Sequence, residues 1–267
     1  MALTENNLKL WWSKWSRPDR TTLIFAGDIT TDEAVKIAKE TLGGWKIGLI
    51  EMGLVMPNIA PIDQTKIYII DTPGSQQSEI RVAAAGIVRK DQPDYFTSRV
   101  VGNYFGGSFN SRLNETIRVK KGLTYGARGG WSAQKMAGVF TISTFTKNAT
   151  TGETVQAIFD EIKRLRSEPP KEKILTDTKN FFAGSFVRTR ETPQAVAEDL
   201  WLIESQNLAP DYLDRLLESI AKTTANQCVD LAKRTINPDK MVVIVVGDAD
   251  KIKKDLEKIA PVEVISK

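Results

Sequence analysis

The chain has 267 residues, 41% of them hydrophobic and 26% charged, with 37 basic residues against 33 acidic ones for a net charge of +4. That is ordinary globular composition, and an excess this small does not make the basic surface that nucleic-acid binding needs. There is no histidine and a single cysteine, Cys228, which excludes Ser-His-Asp and Cys-His nucleophilic sites, H-E-x-x-H and inverted H-x-x-E-H zinc sites, cysteine-rich structural zinc and an internal disulfide.

The predicted elements begin with MALTENNLKLWW, which has neither the basic flank nor the apolar core of a signal peptide. Residues 18–30, PDRTTLIFAGDIT, read as a turn, a β-branched apolar strand and a Gly-Asp step into a helix. Thr30 and Glu33 form a capping box for that helix, Ala34, Ile37, Ala38 and Leu42 share one face, and Gly43-Gly44 stops it. Residues 45–64, with Pro57 and Pro61 and no periodicity, read as a linker. Strands are expected at 65–71 and 78–88, a helix at 93–105, the glycine loop 106–111, a helix near 110–120 and a hairpin of strands at 123–132 and 137–146. A second capping box at Thr150–Glu153 opens a helix whose Val155, Ile158, Phe159, Ile162 and Leu165 make a core-facing stripe. Helices follow at 171–188, 193–207 (capped by Thr192-Pro193), 210–221 and 224–235, then a strand at 241–247 and a short helix after Asp248. No apolar run approaches the roughly 18–20 residues of a membrane span. The order of elements predicts an α+β fold, an antiparallel-rich sheet with helices packed on one face.

Two segments repeat without gaps. PDRTTLIFAGDIT at 18–30 and PDKMVVIVVGDAD at 238–250 align Pro18 with Pro238, Asp19 with Asp239, Gly27 with Gly247 and Asp28 with Asp248. The second copy closes a long unit, whereas the first lies near the start. The expectation is therefore residues 1–55 as the tail of a preceding homologous unit and residues 56–267 as one nearly complete unit. The parent would hold roughly 430–450 residues on ordinary domain sizes. A freestanding protein with a short N-terminal extension is the competing reading.

The candidate chemistry is sparse. Gly106-Gly107-Ser108-Phe109-Asn110-Ser111 lies between two predicted helices and matches no phosphate-loop pattern, so it reads as a turn allowing close backbone approach. Residues 112–128 carry Arg112, Arg118, Lys120, Lys121 and Arg128 against Glu115 alone, which equals the whole excess charge of the chain. They are either a solvated helix end or an anion- or peptide-recognising patch. Lys120 or Lys121 beside Ser108 or Ser111 lacks the S-x-x-K spacing of a serine–lysine site. Asp28 and Asp248 read as helix caps. Trp11, Trp12 and Trp15 suggest core of the missing half, and Trp131 and Trp201 suggest packing between layers. Asn114-Glu115-Thr116 and Asn148-Ala149-Thr150 match glycosylation sequons.

Three segments in order carry a resemblance: PGSQQSEIRVA at 73–83, NYFGGSFNSRLNETIRVKKGLTYGA at 103–127 and INPDKMVVIVVGDAD at 236–250. Together they resemble the second, non-catalytic half of pitrilysin/insulinase-type zinc metallopeptidases, in the branch similar to mitochondrial processing peptidase and its bacterial relatives. The resemblance spans 56–267, and it implies two homologous α+β units around a chamber, only one of them carrying the inverted zinc motif. It further implies that an Arg and a Tyr seven residues apart contact the substrate near that zinc, here Arg118 and Tyr125 within R-x-x-x-G-L-T-Y. Gly106, Gly107 and Ser108 stand where processing peptidases have a longer glycine-rich, substrate-handling loop.

On this resemblance the chain is expected to hold no catalytic residue and no cofactor of its own, zinc belonging to the catalytic half. It would complete the peptide-binding chamber of a metalloendopeptidase, Arg118 offering a permanently charged fork of donors and Tyr125 a neutral hydroxyl held on a strand. The expected partners are a zinc-binding half or subunit, a peptide or unfolded polypeptide and a second copy of the chain, without nucleic acid or membrane span. The alternative is an inactive scaffold or assembly subunit of the same fold. The residues leave the compartment open, and the resemblance points to a bacterial periplasm or cell envelope.

Overall fold

Alternation of apolar and polar side chains sets the sheet. In the computed structural model, which describes residues 3–46, 61–90 and 92–265, strand β1 runs Lys66–Asp71 and β2 Gln77–Ala85. Ile67 and Ile69 of β1, and Ser78, Ile80, Val82 and Ala84 of β2, point to one buried face. The remaining strands are β3 Ala127–Ala133, β4 Gly138–Lys147, β5 Val242–Gly247 and β6 Val262–Ile265. Among the described residues they form one six-stranded sheet in the order β3-β4-β2-β5-β1-β6. The pairs β3–β4, β4–β2 and β2–β5 are antiparallel, whereas β1–β5 and β1–β6 are parallel. The sheet is thus mixed, and the α+β class stands. Strand β6 is too short and too polar to show an alternating signal in the sequence, and it enters only as an edge partner of β1.

The chain divides into two compact units. The larger comprises residues 61–186 and 209–267 and contains the whole sheet. Its helices are α3 Asp94–Gly102, α4 Thr151–Ser167, most of α5 Glu172–Arg188, α7 Tyr212–Lys222, α8 Ala225–Thr235 and α9 Ala249–Leu256. The predicted stripe of α4, Val155, Ile158, Ile162 and Leu165, is fully buried, with Phe159 nearly so. It meets Phe140 and Ile142 of β4, Val243 and Val245 of β5, and Leu231 and Ala232 of α8 in one core. The opposite face of the sheet is open, where Ile244 and Val246 are each 36% exposed. A side chain on that face meets solvent instead of a helix, so β2 and β5 read as clean alternations.

Of the described residues, the smaller unit comprises 3–46 and 187–208. It holds α1 Glu5–Trp15, α2 Thr31–Leu42 and α6 Pro193–Gln206. The box at Thr30 and Glu33 forms as expected: the Thr30 hydroxyl accepts from the Glu33 amide at 3.3 Å, and Glu33 accepts from the Thr30 amide at 2.8 Å. Thr192 caps α6 by accepting from the Ala195 amide at 3.2 Å. The expected strand within 18–30 does not form. Pro18–Arg20 make a single 3-10 turn and the residues after it are unpaired, leaving Leu23 and Phe25 exposed. An apolar run becomes a strand only with a neighbouring strand to take its amides and carbonyls, and among the described residues none is in place. Trp201 is 60% exposed instead of packed between layers, and α1, which sequence reading did not assign, buries nothing. Most of the expected linker, 47–60, lies outside the described residues.

Candidate functional site

The site grows from two turns of irregular helix. After α3 the chain widens into a π-helical turn, Asn103–Gly107, and a second π-helical segment runs Asn114–Lys120. Such widened turns are rare and favour functional sites, because they displace side chains from the regular helical stripe. The expected regular helix at 93–105 therefore ends at Gly102. At Gly106 the backbone passes close against β3. A Cβ built there would lie 2.7 Å from the Gly129 carbonyl oxygen and 2.8 Å from its Cα, so only hydrogen fits against β3.

Arg118 projects from the second π-helical segment, and its guanidinium stacks on the Phe109 ring, 4.4 Å from the centroid. Gly122, at a φ of +63°, then reverses the chain. Tyr125 does not lie on a strand as expected: β3 starts two residues later, and Tyr125 sits in the preceding bend with 83% of its surface exposed. The bend is held from beneath by strand β4. The Thr146 hydroxyl donates to the Leu123 carbonyl at 2.7 Å and the Thr144 hydroxyl to the Gly126 carbonyl at 2.9 Å. The Tyr125 ring lies 6.3 Å from that of Phe145. Backbone fixed by buried hydroxyls therefore does here what a strand position was expected to do.

Asn114, a residue sequence reading gave no role in the site, joins these parts. Its Oδ1 accepts from the Ala127 amide at 2.8 Å and its Nδ2 donates to the Ser108 carbonyl at 3.3 Å. The only signal it gave was its place in a sequon. With the side chain buried and both polar atoms committed, no glycan fits there. Asn148, buried at the start of α4, likewise donates to the Ser75 carbonyl at 2.6 Å and accepts from Ser78 at 2.8 Å.

Arg118, Tyr125, Gly106, Gly107 and Ser108 all line one cleft of about 440 Å³, together with Phe109, Asn114 and Arg128. The basic run around it is mostly neutralised. Arg112 pairs with Glu161 at 3.3 Å, Lys120 with Glu115 at 3.5 Å and Lys121 with Glu153 at 3.0 Å. Arg118 and Arg128 take part in no ion pair among the described residues, and both face the cleft. Glu161, only 2% exposed, also accepts from Thr116 at 2.9 Å and Arg164 at 2.6 Å. The second Arg164–Glu168 pair holds the Arg164 guanidinium well above its ordinary value, with Glu161 adding to it. That cluster anchors the π-helical segment onto α4.

Two expected caps are replaced. Thr150 makes no capping bond, its hydroxyl lying against Thr146 at 2.7 Å while Glu153 turns to Lys121. The Asp248 carboxylate does not cap α9. It pairs with Lys251 at 2.8 Å and accepts from the Gly74 amide at 3.1 Å, which together hold its carboxyl below the usual range. The α9 amide of Ala249 is satisfied by Asp71 at 3.0 Å. A partner from a neighbouring strand is invisible to local pattern reading.

The cleft offers guanidinium, phenol, amide and hydroxyl donors, and so can grip carbonyls and carboxylates. Its residues do not fit a catalytic zinc. The chain has no histidine, and among the described residues no group of three His, Cys, Asp or Glu could hold a metal ion.

The chain has relatives among known proteins. The profile described as peptidase M16 inactive domain matches residues 2–182. A curated relative, the non-peptidase homolog YmxG of Helicobacter pylori, is 23% identical over 250 residues, covering 93% of this chain and 56% of its own length. The crystal structure of a peptidase M16 inactive domain from Pseudomonas fluorescens superposes with a TM-score of 0.81 at 26% identity, over 92% of this chain and 57% of that one. A protease from Helicobacter pylori superposes at 0.77 and 15% identity, over 92% and 59%. The chain thus spans a little over half the length of these relatives. Among the described residues no helix is long and apolar enough to cross a membrane. The chain belongs to the peptidase M16 inactive-domain family.

Proposed function

We propose that this chain completes the polypeptide-binding chamber of a zinc metalloendopeptidase whose catalytic half lies elsewhere, in the same parent chain or in a separate subunit. Arg118 and Tyr125 donate hydrogen bonds to the main-chain carbonyls of an extended substrate. Gly106, Gly107 and Ser108 form the wall against which it lies. The observation that carries this reading is that all five line one cleft in a chain without histidine. A carbonyl that gains negative charge during hydrolysis is stabilised most by donors fixed beforehand. Arg118 is stacked on Phe109, and Tyr125 rests on a backbone pinned by Thr144 and Thr146. The metal and its ligands belong to the partner; this chain contributes hydrogen-bond donors to the substrate carbonyl and no metal ligand. In this reading residues 1–55 end the preceding homologous unit and 56–267 form the non-catalytic one, and the assembly works in a bacterial periplasm or envelope.

In the reconstituted pair, Arg118→Ala lowers turnover by about a hundredfold or more, the scale of losing one such donor. Tyr125→Phe lowers it less, and both variants fold and assemble normally. Full turnover in both variants overturns the assignment. A second reading has one observation in its favour: the curated relative is a non-peptidase homolog. The chain is then a scaffold or assembly subunit of the same fold. In that case neither substitution changes anything measurable in the assembly, and the partner half lacks its own H-x-x-E-H motif.

A further inference from the structure

We propose that Arg128 is a specificity residue that selects an acidic side chain in the bound polypeptide. This deepens the reading of the cleft given above and rests on it. Arg128 stands on β3, pointing to the open face of the sheet, at the junction of three contiguous depressions. The first is the cleft of Arg118 and Tyr125. The second, about 260 Å³, runs along β3 past Gly130 and Ser132. The third, about 300 Å³, crosses to Arg81 and Phe145. Arg128 lines all three, so a chain leaving the cleft by either exit passes its guanidinium.

Its charge is also uncommitted. Of the neighbouring cations of the basic run, Arg112, Lys120 and Lys121 are taken by Glu161, Glu115 and Glu153. In the third depression Arg81 is taken by Glu79 at 3.1 Å. The Arg128 side chain has no hydrogen-bond or ion-pair partner among the described residues. A guanidinium presents a planar fork that matches a carboxylate in bidentate fashion, whereas a carbonyl uses only one of its donors. With Arg118 committed to main-chain carbonyls, the ligand that satisfies Arg128 is a carboxylate, from Asp or Glu, displayed on the peptide beside the cleft. The open face gives the side chain room to swing, so a short and a long acid both reach it.

The test uses this chain and two capped peptides, otherwise neutral, that differ only in one Asp replaced by Asn. Binding is followed by NMR from the amides of residues 106–108 and 125–128 and from the Arg Nε–H signals, up to millimolar peptide. The expected result is that the Asp peptide binds about five- to tenfold tighter than its Asn twin. Arg128→Gln abolishes that ratio, the two peptides then binding alike, and Arg128→Lys keeps part of it. Arg128→Glu reverses the preference toward a Lys-bearing peptide. Equal binding of the two peptides by the native chain, or a ratio that survives Arg128→Gln, overturns the role of Arg128 and leaves the cleft standing. Absence of any response at the cleft overturns the peptide-binding reading itself, and Arg128 with it.

Discussion

The side chain of Asn114 accepts from the Ala127 amide at 2.8 Å, tying the π-helical segment that carries Arg118 to the first residue of the strand that follows Tyr125. One buried amide therefore sets the spacing between the two expected substrate contacts. Asn114→Ala should leave the Ala127 amide buried without an acceptor, at a cost of about 1–3 kcal/mol. Asn114→Asp keeps the acceptor and loses the donor toward Ser108. The expected order of stability in urea is native, then Asp, then Ala, and an Ala variant as stable as the native chain contradicts the pinning role.

Gly106→Ala should be among the more disruptive single-methyl changes in the unit. The added carbon would collide with backbone atoms of Gly129, which cannot rotate away as a side chain can. We expect a loss of about 2–3 kcal/mol and displaced amide resonances across 103–108 and 127–131. Gly107→Ala, whose nearest obstacle is the Gly102 carbonyl at 3.0 Å, should cost less.

Glu161→Ala removes the one carboxylate shared by Arg112, Arg164 and Thr116. Arg112, with 15% of its side chain exposed, is then left without its counter-charge. A loss of about 3 kcal/mol is expected, lowering the melting temperature of the larger unit by roughly 6–12 °C. Glu161→Gln should fall between, because its one amide oxygen keeps an acceptor either for Arg112 or for Thr116 and Arg164, but not for both sides.

Burial pushes the Cys228 thiol up to about 11, with Tyr104 and Lys179 opposing only in part. At neutral pH the thiol is neutral and out of reach, so aromatic disulfide reagents should modify it at the rate of unfolding. The folded value is raised, so the stability tied to the protonated thiol is intact below the unfolded value and fades as pH climbs toward 11. Cys228→Ala should remove that alkaline dependence. Fast labelling of the folded chain at neutral pH contradicts this burial.

Asp248 shows the opposite sign. Its carboxyl is held low by Lys251 first and by the Gly74 amide as well, so its contribution is present above the ordinary carboxylate range and is lost as pH falls through the folded value. Asp248→Asn should flatten stability against pH in the acid range, measured by urea midpoints, while the native chain shows the slope.

Sequence periodicity identified the stripe of α4, the alternation of β2, the hairpin of β3 and β4 and the capping of α2 and α6, because each depends on neighbours within a few residues. It missed what is settled by distant partners. Asp71 satisfies the α9 amide, Thr144 and Thr146 hold the Tyr125 bend, and Gly129 requires the absence of a side chain at Gly106. The strand expected within 18–30 illustrates the same limit, since its second copy, β5, lies between β2 and β1 while the first has no strand beside it among the described residues. Of the cleft, Arg118, Tyr125 and the glycine turn were legible through family resemblance. Arg128 was legible only as one member of the basic run 112–128, and Asn114 only as part of a sequon, since what singles each out is what lies around it.

The central claim is that this chain binds polypeptide for a reaction performed by another half. Hydrolysis of an unfolded polypeptide by a zinc-bearing half from the same parent or neighbouring gene, measured alone and after addition of this chain, tests it most directly. The account predicts no turnover from either part alone, turnover from the pair, and loss of that turnover with Arg118→Ala despite normal assembly. Turnover by the zinc-bearing half that is indifferent to this chain, or a pair that assembles and hydrolyses nothing, would contradict it.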